Sequence, residues 1–556
     1  MRLGLGQDQE MGFKGRTRNP LWIRAQTAQT IGMARKLGLG KAIDGLCSTS
    51  PRTVTPGDTF EIMLGSISSR PEEVAIYNVR KFYDGAPLEA LFGKPVDIDS
   101  LNASSLSRNL DAIGAVPNKD RFLWEQSRKA TRMYGLKSNV LHGDGTCFRF
   151  TGDPKEEMFP DHVAIPKHGH PKISDDAKYL QYNAYGIVDS NRILSTSMPH
   201  DGNVSDVTMN KNALDFLEEV EGDDVKRIVF VADCKLSTSS ILQKMDAMGI
   251  GYVSKFADNS IDGARNKALE AALPELGLDE DGDPITRLAD VDITTNGTVR
   301  RTVVLVNTAK YRDALQRIET HVGSKLMHAL DKMSKKIFES KEAAEEHLRS
   351  HLSSRDLVGY DLRYGFKEKS VRVRPHQGPD AKDEAYRTVY SLDIDVRFDR
   401  DRAAFAALST VAAVLVTNLG RTPSDDGDVR KGASKETVLE LYNGQFVCEH
   451  AFRLMKSGLG LDSIYLHSPL RVDAMLFIIA LATMVFTLMD AILRERNLDR
   501  GATVYRLRIE LMNSRMVYDD GDWWFEGTDD RMEMFLERLS IFSMDPDSFL
   551  DPTYRE

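Results

Sequence analysis

Three acidic residues in this 556-residue chain have neighbours that suggest metal-dependent chemistry. Asp144 and Asp233 lie within or at the end of strand-like segments, and Glu449 lies in a segment with helical spacing, residues 442–456. Hard divalent cations prefer carboxylate oxygens. Two such ions about 4 Å apart can activate an oxygen nucleophile and relieve charge on the leaving oxygen of a phosphodiester. The three residues therefore indicate a site that cuts and joins DNA strands.

The segments around the first two carboxylates alternate between strand and helix patterns. We predict strands at 142–150, 181–189, 192–198, 227–233 and 251–256, with helices from Ser205 to about 220 and at 237–248. Ser205 is a favourable N-cap for the first of these helices. This order predicts a mixed sheet covered by helices, and the ribonuclease-H-like fold has that order.

A gap of 216 residues separates Asp233 from Glu449. Strand patterns occur at 299–306, 387–398 and 411–417, and apolar residues recur at three- and four-residue steps from Leu315 to Ile337. We interpret 257–436 as an inserted domain whose two ends lie close together. A calcium-binding loop in the acidic turn at 279–284 is excluded, because Gly282 is at the fourth position of the turn and not at the sixth.

The whole chain is too long for one compact core. The predicted domains follow one another along the chain. They are an N-terminal arm and helical DNA-binding domain (1–139), the first part of the catalytic core (140–256), the insertion (257–436), the second part of the catalytic core (437–500) and a tail (501–556). The fold class is α/β, a ribonuclease-H-like mixed sheet with flanking helices that is interrupted by a β-rich insertion.

Charge is distributed unevenly along the chain. The net charge is −10, which argues against nonspecific coating of nucleic acid. Residues 1–41 nevertheless carry eight Lys and Arg against two acids, a local charge of +6. This arm either binds phosphates or is a solvated, disordered terminus.

Membrane insertion and disulfide formation are both disfavoured. The longest apolar run, 474–489, is shorter than the roughly 20 residues of a membrane span, so we predict a buried core helix. No signal peptide is visible, and four cysteines fit a reducing, cytoplasmic location. Cys147, Cys234 and Cys448 lie near the carboxylates, and we interpret them as small core residues rather than as metal ligands.

Three sequence blocks, taken in order, resemble a known enzyme family. They are His142-Gly-Asp-Gly-Thr146; His168-Gly-His-Pro-Lys172 with Gly186-Ile-Val-Asp189 and Pro199–Asp206, leading to Val231-Ala-Asp233; and the segment that holds Tyr442, Glu449 and Lys456. The chain resembles the DDE transposases of prokaryotic insertion sequences, in the group with a β-rich insertion before the Glu. The likeness extends over about 95–500.

The resemblance implies roles for individual residues. Asp144, Asp233 and Glu449 would bind two Mg²⁺ ions, for which Mn²⁺ would substitute. The residues expected to contact DNA phosphates, on or beside one helical face, are Tyr442, Gln445, Arg453 and Lys456. Gln445 stands where the family pattern has Arg, and Cys234-Lys235 stands where the family commonly has Arg-Gly.

The resemblance also implies partners and a location. The partners would be double-stranded DNA, as terminal inverted repeats and target, and a second copy of the chain when DNA is bound. The protein would work in a prokaryotic cytoplasm, at the nucleoid. Two alternatives stay open: a domesticated or inactive DNA-binding protein derived from a transposase, and a ribonuclease-H-like nuclease that lacks strand transfer.

Overall fold

The structure is a computed structural model. It describes residues 21–47, 51–69, 75–150, 155, 158–169, 179–257, 261–278, 285–372, 386–461, 466–495, 514–519 and 522–526. The first twenty residues of the basic arm at 1–41 and the acidic turn at 279–284 lie outside these residues, whereas 21–41 are folded and are not a disordered terminus. The chain divides into two compact units: Met1–Lys235, Ala247–Ile250 and Asn443–Glu556 in the first, Leu236–Asp246 and Gly251–Tyr442 in the second.

Helices dominate the beginning of the first unit. The elements are β1 (Leu21–Arg24), α1 (Ala25–Lys36), α2 (Leu39–Leu46), α3 (Pro56–Ser69), α4 (Ile76–Phe82), α5 (Leu88–Phe92), a 3₁₀ turn (Ile98–Leu101), α6 (Ala103–Gly114) and α7 (Lys119–Met133). Buried Arg35 joins three of them, because its guanidinium pairs with Glu61 at 2.9 Å and donates to the Leu91 carbonyl at 2.6 Å. The predicted domain boundaries remain predictions.

A mixed sheet follows in the same unit, built from β2 (Val140–Phe150), β3 (Leu180–Asp189), β4 (Leu194–His200), α8 (Asp206–Glu221) and β5 (Val229–Ala232). Its strand order is β4-β3-β2-β5. β2 pairs antiparallel with β3 and parallel with β5, and β3 pairs antiparallel with β4. The Ser205 side chain caps α8 by accepting the Thr208 N–H. The strand and helix predictions for this stretch are confirmed to within a few residues.

The second unit contains two separate β structures. Its elements are α9 (Ser239–Met248, whose last residues belong to the first unit), β6 (Gly251–Lys255), α10 (Ala264–Ala272), β7 (Thr286–Thr295), β8 (Thr298–Asn307), α11 (Thr308–Arg317), a π turn (Ile318–Val322), α12 (Gly323–Ser334), α13 (Lys341–His351), β9 (Tyr360–Arg372), β10 (Tyr386–Phe398), α14 (Arg400–Val411), β11 (Ala413–Thr417) and α15 (Lys435–Asn443). Here β6, β11, β8 and β7 lie side by side, and β9 and β10 form a two-stranded ribbon packed on α12 and α13. The sequence did not predict β7 or β9.

The last elements return to the first unit: α16 (Phe446–Arg453), a π turn (Leu454–Gly458), α17 (Pro469–Glu495), β12 (Arg515–Asp519) and β13 (Asp522–Glu526). β12 pairs with β1 and β13. Among the described residues, one helix (Pro469–Arg494, mean hydropathy 2.4) is long and apolar enough to span a membrane, and 94% of its apolar window is buried in the protein. That burial fits the predicted core helix.

Candidate active site

The face of the sheet to which Asp144 projects can be read from its partner glycine. Asp144 lies directly opposite Gly186 of β3, and directly opposite residues project to the same face of a sheet. A Cβ on Gly186 would lie 2.6 Å from Cε1 of Phe452, which belongs to α16. Asp144 therefore projects towards the face that α16 covers.

Strand β5 brings Asp233 beside Asp144. Gly143 of β2 lies opposite Ala232 of β5, so the next residues along the two parallel strands are Asp144 and Asp233. Neighbouring strands lie about 4.8 Å apart, and this places the two half-buried carboxylates side by side. Each accepts a hydrogen bond from a nearby backbone N–H: Gly145 N to Asp144 Oδ1 at 2.7 Å, and Lys235 N to Asp233 Oδ1 at 3.0 Å.

Helix α16 carries Glu449 and is fastened to β2 by two contacts. The Cys448 thiol donates to the His142 carbonyl at 3.3 Å, and Gln445 Nε2 donates to the Gly143 carbonyl at 3.4 Å. These carbonyls directly precede the first carboxylate along the strand. Glu449 is exposed and follows Cys448, so it lies on the helix that covers this stretch of β2.

The three carboxylates lie on one side of the sheet without forming a closed ligand set. Within the described residues, no group of three His, Cys, Asp or Glu side chains could hold a metal ion. Asp144 and Asp233 are adjacent hard oxygen donors, the type that Mg²⁺ and Mn²⁺ prefer. This pair fits a divalent cation, whereas Glu449 stands outside the pair in the present conformation.

Buried Tyr185 lies on the opposite face of β3 and ties the sheet to α8. Its hydroxyl donates to Asn210 Oδ1 at 2.7 Å, and Asn210 Nδ2 donates to the Asp206 carbonyl at 2.9 Å. Burial raises the pKa of Tyr185 well above its ordinary value, and four nearby acidic groups raise it further: Asp144, Cys448, Asp233 and Asp206. Tyr185 therefore stays protonated and acts as a hydrogen-bond donor beneath the carboxylates.

Sequence reasoning missed this layer beneath the site. It treated Asp206 only as the start of α8, yet the Asp206 carboxylate is close enough to influence the same phenol as Asp144 and Asp233. Its position in the sequence could have identified Asp206, because it directly follows the N-cap Ser205 in the block Pro199–Asp206, which leads to Asp233. Tyr185 gave no signal, because a tyrosine in a strand is usually a packing residue.

The neighbouring histidine and cysteines behave as packing groups. Burial lowers the pKa of His142 to about 4, so its ring is neutral near pH 7. Cys448 is buried and holds α16 through its thiol, while Cys147 and Cys234 are half-buried and form no disulfide. Burial of Cys448 agrees with its interpretation as a small core residue, whereas for Cys147 and Cys234 that interpretation stays a prediction.

The prediction of one continuous helix over 442–456 is wrong. α15 ends at Asn443, a turn at Gly444 and Gln445 precedes α16, and a π turn follows Arg453. The i to i+3 bonds from Val447 N and Cys448 N to the two turn carbonyls tighten this break. Regular three- and four-residue steps therefore do not describe how the side chains of this segment are arranged.

The predicted phosphate-contact residues separate accordingly. Tyr442 belongs to the second unit, and Arg453 is exposed at the end of α16. Lys456 lies in the π turn, with Nζ 5.4 Å from the centroid of the Phe148 ring. Phe148 is four residues beyond Asp144, about 13 Å along the strand. The contacts to DNA remain predictions for all four residues, Gln445 included.

The loop that departs from the family pattern borders a cavity. Exposed Lys235 contributes to the wall of a cavity of about 390 Å³ beside β2, at the N-terminus of α8. The other lining residues are both polar and apolar: Gly145, Thr146, Cys147, Asn183, Gly202, Asn203, Val204, Ser205, Asp206, Val207 and Met209. An ammonium group thus stands close to the site.

Two family models match separate segments of the chain. Residues 396–485, which include α16 and Glu449, match the model described as "Transposase DDE domain", and residues 30–122 match a "Domain of unknown function (DUF4277)". Each match covers well under half of the chain, and neither includes Asp144 or Asp233. No curated protein shows a significant match.

Two solved structures align with the chain at low similarity. One is a piggyBac transposase synaptic complex with hairpin DNA, at 9% identity over 95% of this chain and 93% of that one, with a TM-score of 0.29. The other is a pre-cleavage Mos1 transpososome, at 8% identity over 37% of this chain and 60% of that one, with a TM-score of 0.14. At these values neither alignment establishes a shared fold.

Proposed function

We propose that this chain is a DDE transposase that cleaves DNA at transposon ends and transfers the freed strand into target DNA. One observation carries the proposal. Asp144 and Asp233 end up side by side on the sheet face covered by α16, and α16 is the helix of Glu449 within the segment that matches the transposase DDE domain. The sheet order and the crossover through α8 also support a ribonuclease-H-like core.

The chemistry follows from these placements. Bound divalent cations would activate a water and neutralise the leaving oxygen. The water oxygen bonds to phosphorus at the transposon end, the bond from phosphorus to the 3′-oxygen breaks, and that oxygen takes up a proton. The resulting 3′-hydroxyl then attacks a target phosphodiester in the same way. Asp144 and Asp233 would hold the cations, and Glu449 on α16 is the third carboxylate available to them.

The half-buried Lys456 and the exposed Arg453 are suited to contact phosphates on either side of the scissile bond. The partners under this proposal are double-stranded DNA, namely the terminal inverted repeats and the target, and a second copy of the chain on the DNA. We further propose two Mg²⁺ ions, replaceable by Mn²⁺, and action at the nucleoid in a prokaryotic cytoplasm.

The test is strand cleavage of a duplex that carries the element's terminal inverted repeat, with Mg²⁺ present. Asp144→Ala, Asp233→Ala and Glu449→Ala should each abolish cleavage while leaving the thermal unfolding midpoint nearly unchanged. Asp223→Ala and Glu89→Ala remove exposed carboxylates elsewhere in the same unit and serve as matched controls. Unchanged cutting by Asp233→Ala would rule out the proposal.

A second candidate is a DNA-binding protein derived from a transposase that no longer cuts. The absence of a three-residue metal-binding group among the described residues favours it, as does the Cys234-Lys235 loop. A protein of this kind binds the terminal repeat with the same affinity with or without Mg²⁺ and cuts in neither condition. A ribonuclease-H-like nuclease without strand transfer would cut the repeat but would not join it to target DNA, and analysis of the reaction products would show whether joined strands form.

A further inference from the structure

Exposed cations line one side of the long helical segment in the second unit. Four are Lys or Arg and recur at steps of seven and eight residues over α11, the π turn and α12, and two histidines lie between them: Lys310, Arg317, Lys325 and Lys332, with His321 and His328. We call these six residues the insertion stripe. The buried positions of α12 are Leu326, Leu330 and Met333, and at 100° per residue Lys325, His328 and Lys332 lie on the opposite side. The stripe is thus a solvated surface and not a packing face.

The four Lys and Arg residues of the insertion stripe differ from several other cations of the same unit. None of them forms an ion pair or a side-chain hydrogen bond with the part of the chain that the structure describes. Several other exposed cations of this unit pair with acids: Lys341 with Glu368, Arg349 with Glu345, Lys367 with Asp393, and Arg387 with Glu339. A protein with a net charge of −10 therefore leaves a row of cations without internal partners.

The dimensions of the insertion stripe suit a polyanion. Lys310 and Lys332 are 22 residues apart, which corresponds to about 33 Å along a helix. That length is about one helical turn of duplex DNA, roughly 34 Å. Neighbouring cations of the four are two helical turns apart, so each can reach a different phosphate. Phosphate contacts of this kind release counterions, and this makes the affinity depend on salt.

We propose that the insertion stripe binds the phosphate backbone of duplex DNA outside the catalytic site. This inference rests on the proposed function, because it takes transposon-end DNA as the partner. It assigns a DNA contact to the second unit through a surface that requires no base recognition. The contact contributes affinity and orientation, and it leaves sequence selection to other parts of the protein.

The experiment compares two variants of the full chain with equal changes in charge. The stripe variant combines Lys310→Gln, Arg317→Gln, Lys325→Gln and Lys332→Gln. The control variant combines Lys341→Gln, Arg349→Gln, Lys367→Gln and Arg387→Gln, whose cations already have acidic partners. The dissociation constant for a 40-base-pair duplex ending in the terminal inverted repeat is measured between about 50 and 200 mM NaCl, the range in which phosphate contacts change affinity strongly.

We expect the stripe variant to lose about 0.9 from the slope of log K against log salt for each contact removed, up to about 3.6 in total. Its affinity at 150 mM NaCl should fall at least tenfold, whereas the control variant should keep the wild-type slope. Equal slopes for the wild type and the stripe variant, or equal losses in both variants, would overturn the inference. Circular dichroism confirms that both variants are folded.

Cleavage by the wild-type protein separates this inference from the proposed function. If the wild type cuts the terminal repeat and the stripe variant keeps the full salt slope, only the stripe inference fails. If the wild type binds the duplex with a salt slope that depends on the stripe but never cuts it, only the transposase proposal fails.

Discussion

Replacing Gly186 with alanine tests whether the close packing of α16 against the sheet controls the rate of DNA cleavage. The added Cβ would lie 2.6 Å from Cε1 and 2.9 Å from Cζ of Phe452, whereas ordinary contacts begin at 3.4 Å. The ring must therefore retreat by about 0.8 Å, the difference between 3.4 and 2.6 Å. Phe452 lies on the same helix as Glu449, so a retreat of the helix with the ring displaces the carboxylate.

The expected loss is larger for catalysis than for folding. Overpacking of this kind lowers the free energy of unfolding by about 1–3 kcal/mol. A displacement of about 1 Å in a reacting group can lower a rate about 100-fold. We therefore expect Gly186→Ala to fold and to bind the terminal repeat, but to cleave it about 100-fold more slowly in a single-turnover assay with Mg²⁺.

The chain provides a matched control and a rescue. Gly365 lies in strand β9, and a Cβ there would meet no atom within 4 Å, so Gly365→Ala should change neither stability nor cleavage. Phe452→Leu shortens the clashing side chain, and combined with Gly186→Ala it should restore much of the lost rate. Wild-type cleavage by Gly186→Ala, or a loss that the double variant does not relieve, would refute the reasoning.

Two further predictions concern buried polar groups. Burial raises the pKa of Asp189 to about 6 from 3.8. The folded protein therefore favours the protonated carboxyl, whose contribution to the free energy of unfolding is full below pH 3.8 and is lost as the pH rises through 6. Asp189→Asn can keep the bond from Ile193 N and should raise the free energy of unfolding at pH 7.5 by on the order of 2–3 kcal/mol; an equal gain at pH 4 in urea titrations would contradict this. Tyr185→Phe removes the donor to Asn210 and should cost about 1–3 kcal/mol while cleavage continues; a variant as stable as the wild type would argue against the bond.

Local pattern was sufficient for the strands that hold the two aspartates. β2, β3 and β5 are short runs with apolar, β-branched or aromatic residues between turn signals, and each was found within a few residues. β7 was not predicted, although Ala289, Val291 and Ile293 are buried in alternation with Asp290 and Asp292. The structure neutralises Asp290 with Arg301 at 2.6 Å and Asp292 with Arg421 at 2.8 Å, partners 11 and 129 residues away.

The helix of Glu449 shows where local pattern fails. The spacing from Tyr442 to Lys456 predicts one continuous helical face only if every turn of the segment has the same number of residues. The turn before α16 and the π segment after it change that number. A π bulge leaves no clear trace in composition, since it inserts one residue per turn without requiring a particular side chain. The side-chain positions in this segment therefore have to be taken from contacts in the structure, such as that between Lys456 and Phe148, and not from sequence spacing.

Long-range contact decides how close α16 comes to the carboxylates. The helix reaches β3 because Gly186 has no side chain, and Phe452 occupies the space that one would fill. Gly143 plays the same part on the other face, where the Tyr185 hydroxyl and the Phe230 ring lie against it. A sequence shows these glycines as weak points in a strand, although here they let the layers on both faces approach the strand that carries Asp144. Under the proposed function, a substitution at either glycine should therefore impair the site without removing one of its carboxylates.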